Sequence, residues 1–333
     1  MSVELKLSRP NRVYRPSEPV QGKILVTSPS PIAHQGIRVS VTGNVNLQVR
    51  GGSVGVIESL YSMVKPICIM TKTTEVTTSG KLTSGRTEIP FSISLTSSGQ
   101  DESEGFFETF HGANITIQYL LIADISRGYL HKSLCATMEF IIESEKAKLL
   151  DVPVSSEMII FYITQDTQRH HLLPELLSGG FRVTGKISSQ CSLLDPISGD
   201  LTVEVSPVPI HSLDIQLLRV ESILVGEKFV TDTSVIQTTQ IADGDIDRCM
   251  TLPIYIIIPR LLACPTVLAG GYVLWNSICR PFSVEFQVSI VISFQSELAK
   301  QHPRADLRAP KPWLASETIP LKLIRTKRGE LCS

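Results

Sequence analysis

Residues 282–294 read Phe-Ser-Val-Glu-Phe-Gln-Val-Ser-Ile-Val-Ile-Ser-Phe, and this stretch decides the class of fold. Every second side chain from Phe286 to Phe294 is apolar, while Gln287 and Ser289 hold two of the intervening positions. Side chains of a β-strand alternate between its two faces, so the pattern predicts a strand with one buried face. A strand that faces water on its other side is typical of an antiparallel sheet.

The same alternation recurs along the chain, and helical periodicity is nearly absent. Its apolar positions are Ile37, Val39 and Val41; Val45, Leu47 and Val49; Leu201, Val203 and Val205; and Leu213, Ile215 and Leu217. The best helical candidate is short, at residues 171–177, and residues 254–258 are expected to form a buried strand. The sequence therefore predicts an all-β fold of the sandwich type with little helix.

Elements of the first half of the chain return in the same order in the second half. The four pairs are Gly22 with Gly199, the strand beginning at Ile37 with the strand beginning at Leu213, residues 88–91 with residues 251–254, and the strand at 115–119 with the strand at 284–288. Their common order indicates a tandem duplication. We expect one β-sandwich domain at residues 1–150, a second at 151–325 and a flexible basic tail at 326–333.

Composition excludes several classes of protein. The 333 residues carry 31 Lys and Arg against 32 Asp and Glu, a formal net charge of −1, which argues against a nucleic-acid binder that neutralises phosphates. The first ten residues lack the apolar core of a signal peptide. Residues 252–275 are apolar, but three prolines interrupt them, which disfavours a membrane-spanning helix. The seven scattered cysteines are expected to be reduced, buried thiols of a cytosolic protein.

The sequence contains no recognisable catalytic, cofactor-binding or metal-binding motif. Asp243, Asp245 and Asp247 have the spacing of a calcium loop, but Arg248 stands where that loop needs glycine. No nucleophile motif accompanies His111, and the glycine-rich residues 51–55 lack the Lys-Ser/Thr ending of a phosphate-binding loop. The residues therefore predict a non-enzymatic binding protein.

A set of ordered sequence blocks resembles the vacuolar protein sorting-associated protein 26 family of arrestin-like proteins, and in particular its retriever-type members. The resemblance covers about residues 4–325. The blocks are Asn11-Arg12-Val13-Tyr14, Gly43-Asn44-Val45-Asn46-Leu47, Gly85-Arg86-Thr87-Glu88-Ile89-Pro90-Phe91, Glu108-Thr109-Phe110-His111-Gly112, Gln216-Leu217-Leu218-Arg219-Val220-Glu221 and Ile241-Ala242-Asp243-Gly244-Asp245.

This resemblance implies a cytoplasmic, endosome-associated scaffold of the retriever or retromer type. Such a scaffold joins a helical-solenoid subunit and, through it, a small phosphoesterase-like subunit. A sorting-nexin adaptor and the commander complex are implied as indirect partners in returning membrane-protein cargo from endosomes to the plasma membrane. Contact with the membrane would then be peripheral and only through the complex. An α-arrestin-like adaptor for cargo trafficking or ubiquitination is the alternative, although the Pro-Pro-x-Tyr motifs of that class are absent from the sequence.

The resemblance also points to a partner-binding site at Ile241, Ala242, Asp243 and Gly244, since a loop of the second sandwich docks onto the solenoid in the retromer relative. We expect Ile241 to be exposed beside a glycine turn, where docking would remove apolar area from water. The alternative is that Ile241 fills its own core and Asp243-Gly244 is an ordinary turn. The chain departs from the family at 271–280, where about ten residues are inserted.

Overall fold

A computed structural model gives the fold, and it describes residues 1–48, 66–96, 107–128, 131–143, 157–225, 228–244, 246–259, 282–296 and 311–324. These residues form two compact units: the described residues up to 143 belong to the first and those from 157 onward to the second. The insertion at 271–280 and the tail at 326–333 lie outside the described residues. Within the described part of the chain, no helix is long and apolar enough to cross a membrane.

The first unit consists of strands joined by turns. In its described part, β1 to β9 span Ser2–Leu7, Val13–Tyr14, Val20–Ser28, Ile32–Leu47, Ile67–Leu82, Gly85–Ile93, Phe110–His111, Ile115–Ser126 and Leu134–Ile142. They form two sheets, with orders β1-β3-β6 and β2-β9-β8-β4-β5, and β7 pairs with β8 at its side. Neighbouring strands are antiparallel except β2 and β9, which run parallel.

The second unit repeats this plan, except that it has one further strand in its smaller sheet and no described counterpart of β7. Its described strands β10 to β18 span Met158–Thr164, Arg182–Ser188, Gln190–Ser192, Ile197–Val205, Ile210–Val225, Lys228–Asp243, Thr251–Ile256, Phe282–Phe294 and Leu314–Ile324. The sheet orders are β10-β11-β13-β16 and β12-β18-β17-β14-β15. Strand β12 runs parallel to β18, as β2 does to β9, and β10 is the added strand. The predicted all-β architecture of two tandem sandwiches with little helix is confirmed.

Alternation builds the core of each unit. Along β17, Phe286, Val288, Ile290, Ile292 and Phe294 are all at most 2% exposed. In the first unit β8 alternates in the same way over its whole length. Burying one such side chain stabilises the fold by about 1.5–3 kcal/mol, so a single strand of this kind fixes which of its faces lies inside.

The two glycines that suggested the duplication have the same structural role. Gly22 in β3 and Gly199 in β13 lie where strands come so close that a Cβ atom would collide with backbone. An added Cβ would stand 2.4 Å from the carbonyl oxygen of Lys6 at Gly22, and 2.3 Å from that of Lys186 at Gly199. Glycine is needed at both positions for this close approach.

Three expectations about local structure need correction. The helix α1 spans Pro174–Gly179 rather than 171–177, and it begins at Pro174 because proline fits the first helical position. Strand β16 spans Thr251–Ile256 and alternates between buried and exposed residues, so it is half-buried rather than buried. Of the described cysteines only Cys191 is buried, whereas Cys68 on the edge strand β5, Cys135 on β9 and Cys249 in a turn are exposed.

Candidate partner-binding site

The predicted site lies at the end of a long edge strand. Strand β15 pairs with β14 on one side, and none of the other described strands pairs with it, so its other side is an edge of the five-stranded sheet. None of its described side chains is buried, and Val235 is 55% exposed while Phe229 is 46% exposed. A long edge strand with apolar side chains offers both hydrogen-bonding groups and apolar area to another protein.

Ile241 is the extra residue of a β-bulge. Leu213 of β14 lies opposite Ala242, and the next residue, Asp214, lies opposite Gln240, so Ile241 has no residue opposite it. A bulge of this kind bends the strand and redirects the side chain of the extra residue. The Ile241 side chain is half-buried, between the exposed position that we predicted and the core position of the alternative.

The strand ends two residues after the bulge. Asp243 is exposed and lies opposite Ser212, and Gly244 follows in the left-handed region with φ of +66°. The backbone N–H of Gly244 donates to the carbonyl oxygen of His211 at 2.6 Å. Because few residues other than glycine adopt this conformation, Gly244 fixes the point at which the chain leaves the sheet.

The surroundings of the site are acidic and held in place by hydrogen bonds. The Ser212 hydroxyl donates to the Asp214 carboxylate at 2.9 Å, on the strand next to exposed Asp243. After Gly244 the chain returns to β13, where the backbone N–H of Cys249 donates to the Val203 carbonyl at 2.7 Å. The junction therefore presents one aliphatic side chain beside carboxylates on a backbone fixed at both ends.

An equivalent bulge in the first unit gives the site an internal reference. In the hairpin of β4 and β5, Ile37 lies opposite Thr77 and Arg38 lies opposite Glu75, so Val76 is the extra residue. Val76 is half-buried like Ile241. Strand β5 nevertheless continues to Leu82, whereas β15 ends at Asp243. The bulge thus belongs to the shared plan of the sandwiches, and the early end with its glycine turn is particular to the second unit.

The structure brings all four predicted site residues together, since they are consecutive in the chain. It also adds apolar residues that the sequence did not indicate, namely Val235, which is exposed, and Ile236, which is the extra residue of a second bulge on β15. Each bulge breaks the period of two, so no alternation marks this strand in the sequence. Among the described residues, no group of three His, Cys, Asp or Glu side chains could hold a metal ion.

Comparison with known proteins gives two concordant matches. Residues 4–297 match the family described as vacuolar protein sorting-associated protein 26. A relative from Dictyostelium discoideum, vacuolar protein sorting-associated protein 26C, is 32% identical over 328 residues, which cover 97% of this chain and 99% of that protein. Both matches extend across the two sandwiches.

Proposed function

Because the chain belongs to the vacuolar protein sorting-associated protein 26 family, we propose that it is a non-enzymatic scaffold subunit of an endosomal sorting complex. Proteins of this family have the arrestin-like architecture of two tandem sandwiches. For the two sandwiches of this chain we propose the domain limits 1–150 and 151–325. Each sandwich supplies exposed strand edges and loops, which are surfaces suited to holding other proteins.

The complex that we propose is of the retriever type, which is the assembly implied by likeness to a 26C protein. Its large subunit would be a helical solenoid that also carries a small phosphoesterase-like subunit. A sorting-nexin adaptor and the commander complex would act with it to return membrane-protein cargo from endosomes to the plasma membrane. The chain itself would be cytoplasmic and reach the endosomal membrane only through its partners.

The junction at Ile241–Gly244 is the observation that carries the docking proposal. The bulge turns an aliphatic side chain away from regular pairing, the strand ends two residues later before the Gly244 turn, and the Ile241 side chain is half-buried. Docking onto an apolar groove would remove the remaining exposed area of Ile241 from water, which is favourable. The neighbouring Asp243 would remain at the rim, where charged groups are common in interfaces.

Affinity purification of the full-length protein from cells, followed by mass spectrometry, tests the identity of the solenoid subunit. The same purification with Ile241→Asp tests the site, because a carboxylate in an apolar interface costs the free energy of its desolvation. We expect this substitution to weaken recovery of the solenoid about 100-fold, which corresponds to about 2.7 kcal/mol.

Val76→Asp is the matched control, since Val76 is also the extra, half-buried residue of an edge-strand bulge. Solenoid recovery with Val76→Asp should equal that of the wild type. Unchanged recovery with Ile241→Asp would remove the site and leave the scaffold proposal standing. Absence of any solenoid subunit from the wild-type purification would contradict the scaffold proposal itself.

A further inference from the structure

The outer face of the three-stranded sheet carries two lysines directly opposite one another. Lys6 of β1 lies opposite Lys23 of β3, and Lys23 in turn lies opposite Pro90 of β6. All three side chains are exposed on the face that points away from the core. Like charges in directly opposite positions of neighbouring strands are destabilising, so this row has an unfavourable feature that folding does not require.

The equivalent row of residues in the second unit avoids this repulsion between lysines. Lys186 of β11 lies opposite Asp200 of β13, which lies opposite Pro253 of β16. The Lys186 Nζ atom stands 3.2 Å from the Asp200 carboxylate. The two rows therefore agree in their first lysine and in their proline, and they differ in the middle residue, where Lys23 replaces an acidic partner.

A groove of about 690 Å³ lies over this face and is lined by Lys6, Lys23, Arg86 and Glu88 among others. Glu88 stands 3.0 Å from Lys23 and 3.4 Å from Arg86, and the hydrogen bond from Lys23 lowers the pKa of its carboxyl group. Among the described residues Lys6 forms no ion pair. Glu4 lies one row away, opposite Leu25. The charged side chains that line the groove are thus three cations and one anion, in a protein of net charge −1.

We propose that this groove binds an acidic peptide segment of another protein, with a carboxylate placed between Lys6 and Lys23. The carboxylate would take the position that Asp200 occupies beside Lys186 in the second unit. Glu88 would keep Arg86 as its partner when Lys23 turns toward the peptide. Leu25 and Pro90 at the same face supply apolar contact for the side chains between the acidic residues. This inference concerns the first unit and is independent of docking at Ile241.

The groove fits a peptide better than it fits a membrane or a nucleic acid. Recognition of an anionic membrane relies on clusters of about 4–8 basic residues, whereas three line this groove together with a carboxylate. Binding of single-stranded nucleic acid uses exposed aromatic rings as stacking platforms, and the one aromatic residue that lines the groove, Phe91, is only 7% exposed.

Fluorescence anisotropy with the full-length protein tests the proposal. The probe is a fluorescein-labelled hexapeptide of alternating Glu and Val, and a peptide of alternating Gln and Val serves as the neutral reference. We expect the acidic peptide to bind and the neutral peptide not to bind, and the affinity for the acidic peptide should fall as salt is added. Lys6→Gln and Lys23→Asp should each weaken binding about tenfold, the second because it creates the neutralised row of the second unit.

Lys186→Gln is the matched control, because it removes the equivalent lysine from the other unit. Binding of the acidic probe should be unchanged in this variant. Equal loss in Lys6→Gln and Lys186→Gln would show attraction to charge in general and overturn the proposal, as would absence of wild-type binding. Sedimentation with phosphatidylserine vesicles tests whether the groove binds a membrane instead. Vesicle binding that depends on Lys6, without binding of the peptide, would also overturn the proposal. Circular dichroism and Tm should show that every variant folds, since the substituted side chains are exposed.

Discussion

The Nε atom of Arg219 lies 3.0 Å from Oε1 of Glu221, and both side chains occupy core-facing positions of β14. Arg219 is opposite Phe286 and Glu221 is opposite Val284, two buried residues of β17. Residues directly opposite in a sheet share a face, so the ion pair stands within the apolar row that runs along β17. The side chain of Glu221 is 1% exposed and that of Arg219 is 13% exposed.

Removal of one member of this pair is expected to be costly. Glu221→Leu should lower the free energy of unfolding by about 3–5 kcal/mol, because the Arg219 guanidinium then stays buried without that carboxylate. The double substitution Arg219→Met with Glu221→Leu should recover most of the loss, since both charges are gone. Urea denaturation followed by circular dichroism measures the difference. Glu204→Leu, at an exposed pair 3.0 Å from Arg182, should cost less than about 1 kcal/mol, and an equal cost at both sites would contradict the prediction.

The ion pair of Arg9 and Glu18 should make stability depend on acid pH. The Glu18 carboxylate accepts hydrogen bonds from the Arg9 guanidinium at 2.7 Å and the Arg15 backbone N–H at 3.0 Å, and the Arg9 bond chiefly lowers the pKa of Glu18. The unfolded chain has the higher pKa, about 4.3, and so binds the proton more readily. The stabilisation is therefore complete above that pH and disappears as the pH falls through the lowered folded-state pKa.

Glu18→Gln gives the measurement. At pH 7 the variant should be less stable than the wild type by about 1 kcal/mol. Thermal unfolding of both proteins between pH 3 and pH 7 should show their Tm values converging at the acid end. A difference in Tm that is the same at every pH would mean that the carboxylate charge does not stabilise this turn.

The thiols should react in an order set by exposure and pKa. Burial raises the pKa of Cys191 to about 11, and a hydrogen bond to Asp124 chiefly raises the pKa of exposed Cys135. Since the thiolate is the reactive form, we expect iodoacetamide at pH 8 to label Cys68 and Cys249 first, Cys135 later and Cys191 only after unfolding. Peptide mass spectrometry over time gives the order, and rapid labelling of Cys191 in the native protein would contradict its buried position.

The two close-approach glycines should not tolerate a methyl group. Gly22→Ala and Gly199→Ala each place a Cβ within 2.4 Å of a backbone carbonyl oxygen, so each should lower the free energy of unfolding by about 1–3 kcal/mol. Gly128→Ala is the control, because a Cβ there would meet nothing within 4 Å, and its effect should stay within about 0.5 kcal/mol. Chemical denaturation compares the three, and an equal effect of all three would contradict the close approach.

The alternation of apolar and polar residues alone predicted the sandwiches, because a period of two identifies a strand and also shows which of its faces is buried. The repeated order could also be predicted, since Gly22 and Gly199 lie in strands β3 and β13, which occupy equivalent positions in the two units. The echo between 115–119 and 284–288 identified the right strands, but the register is shifted. Tyr119 lies opposite Gly43 as Phe286 lies opposite Arg219, so Tyr119 corresponds to Phe286 rather than to Val288.

Features that depend on register could not be predicted. The bulge at Ile241 is visible only when β15 is set against β14, because the extra residue disturbs the alternation that would identify the strand. The opposition of Lys6 and Lys23 is visible only when β1 is set against β3 in the register that pairs Leu5 with Ile24 and Leu7 with Gly22. The family resemblance pointed to the four residues Ile241–Gly244 without knowledge of how β15 pairs with β14. It could not predict how exposed their side chains are.

The last described strand of each unit lies inside its sheet. Strand β9 lies between β2 and β8, and β18 lies between β12 and β17. In the larger sheet of each unit, a strand from the end of the unit therefore connects an early strand to the rest of the sheet. During synthesis, β2 has no parallel neighbour until residues 141 and 142 have left the ribosome, and β12 must wait for residues 322–324. Such distant pairings make folding slow and leave strand edges open meanwhile. A nascent chain that stops before β18 would therefore expose the side of β17, and newly made protein should need chaperones until its final strand is in place.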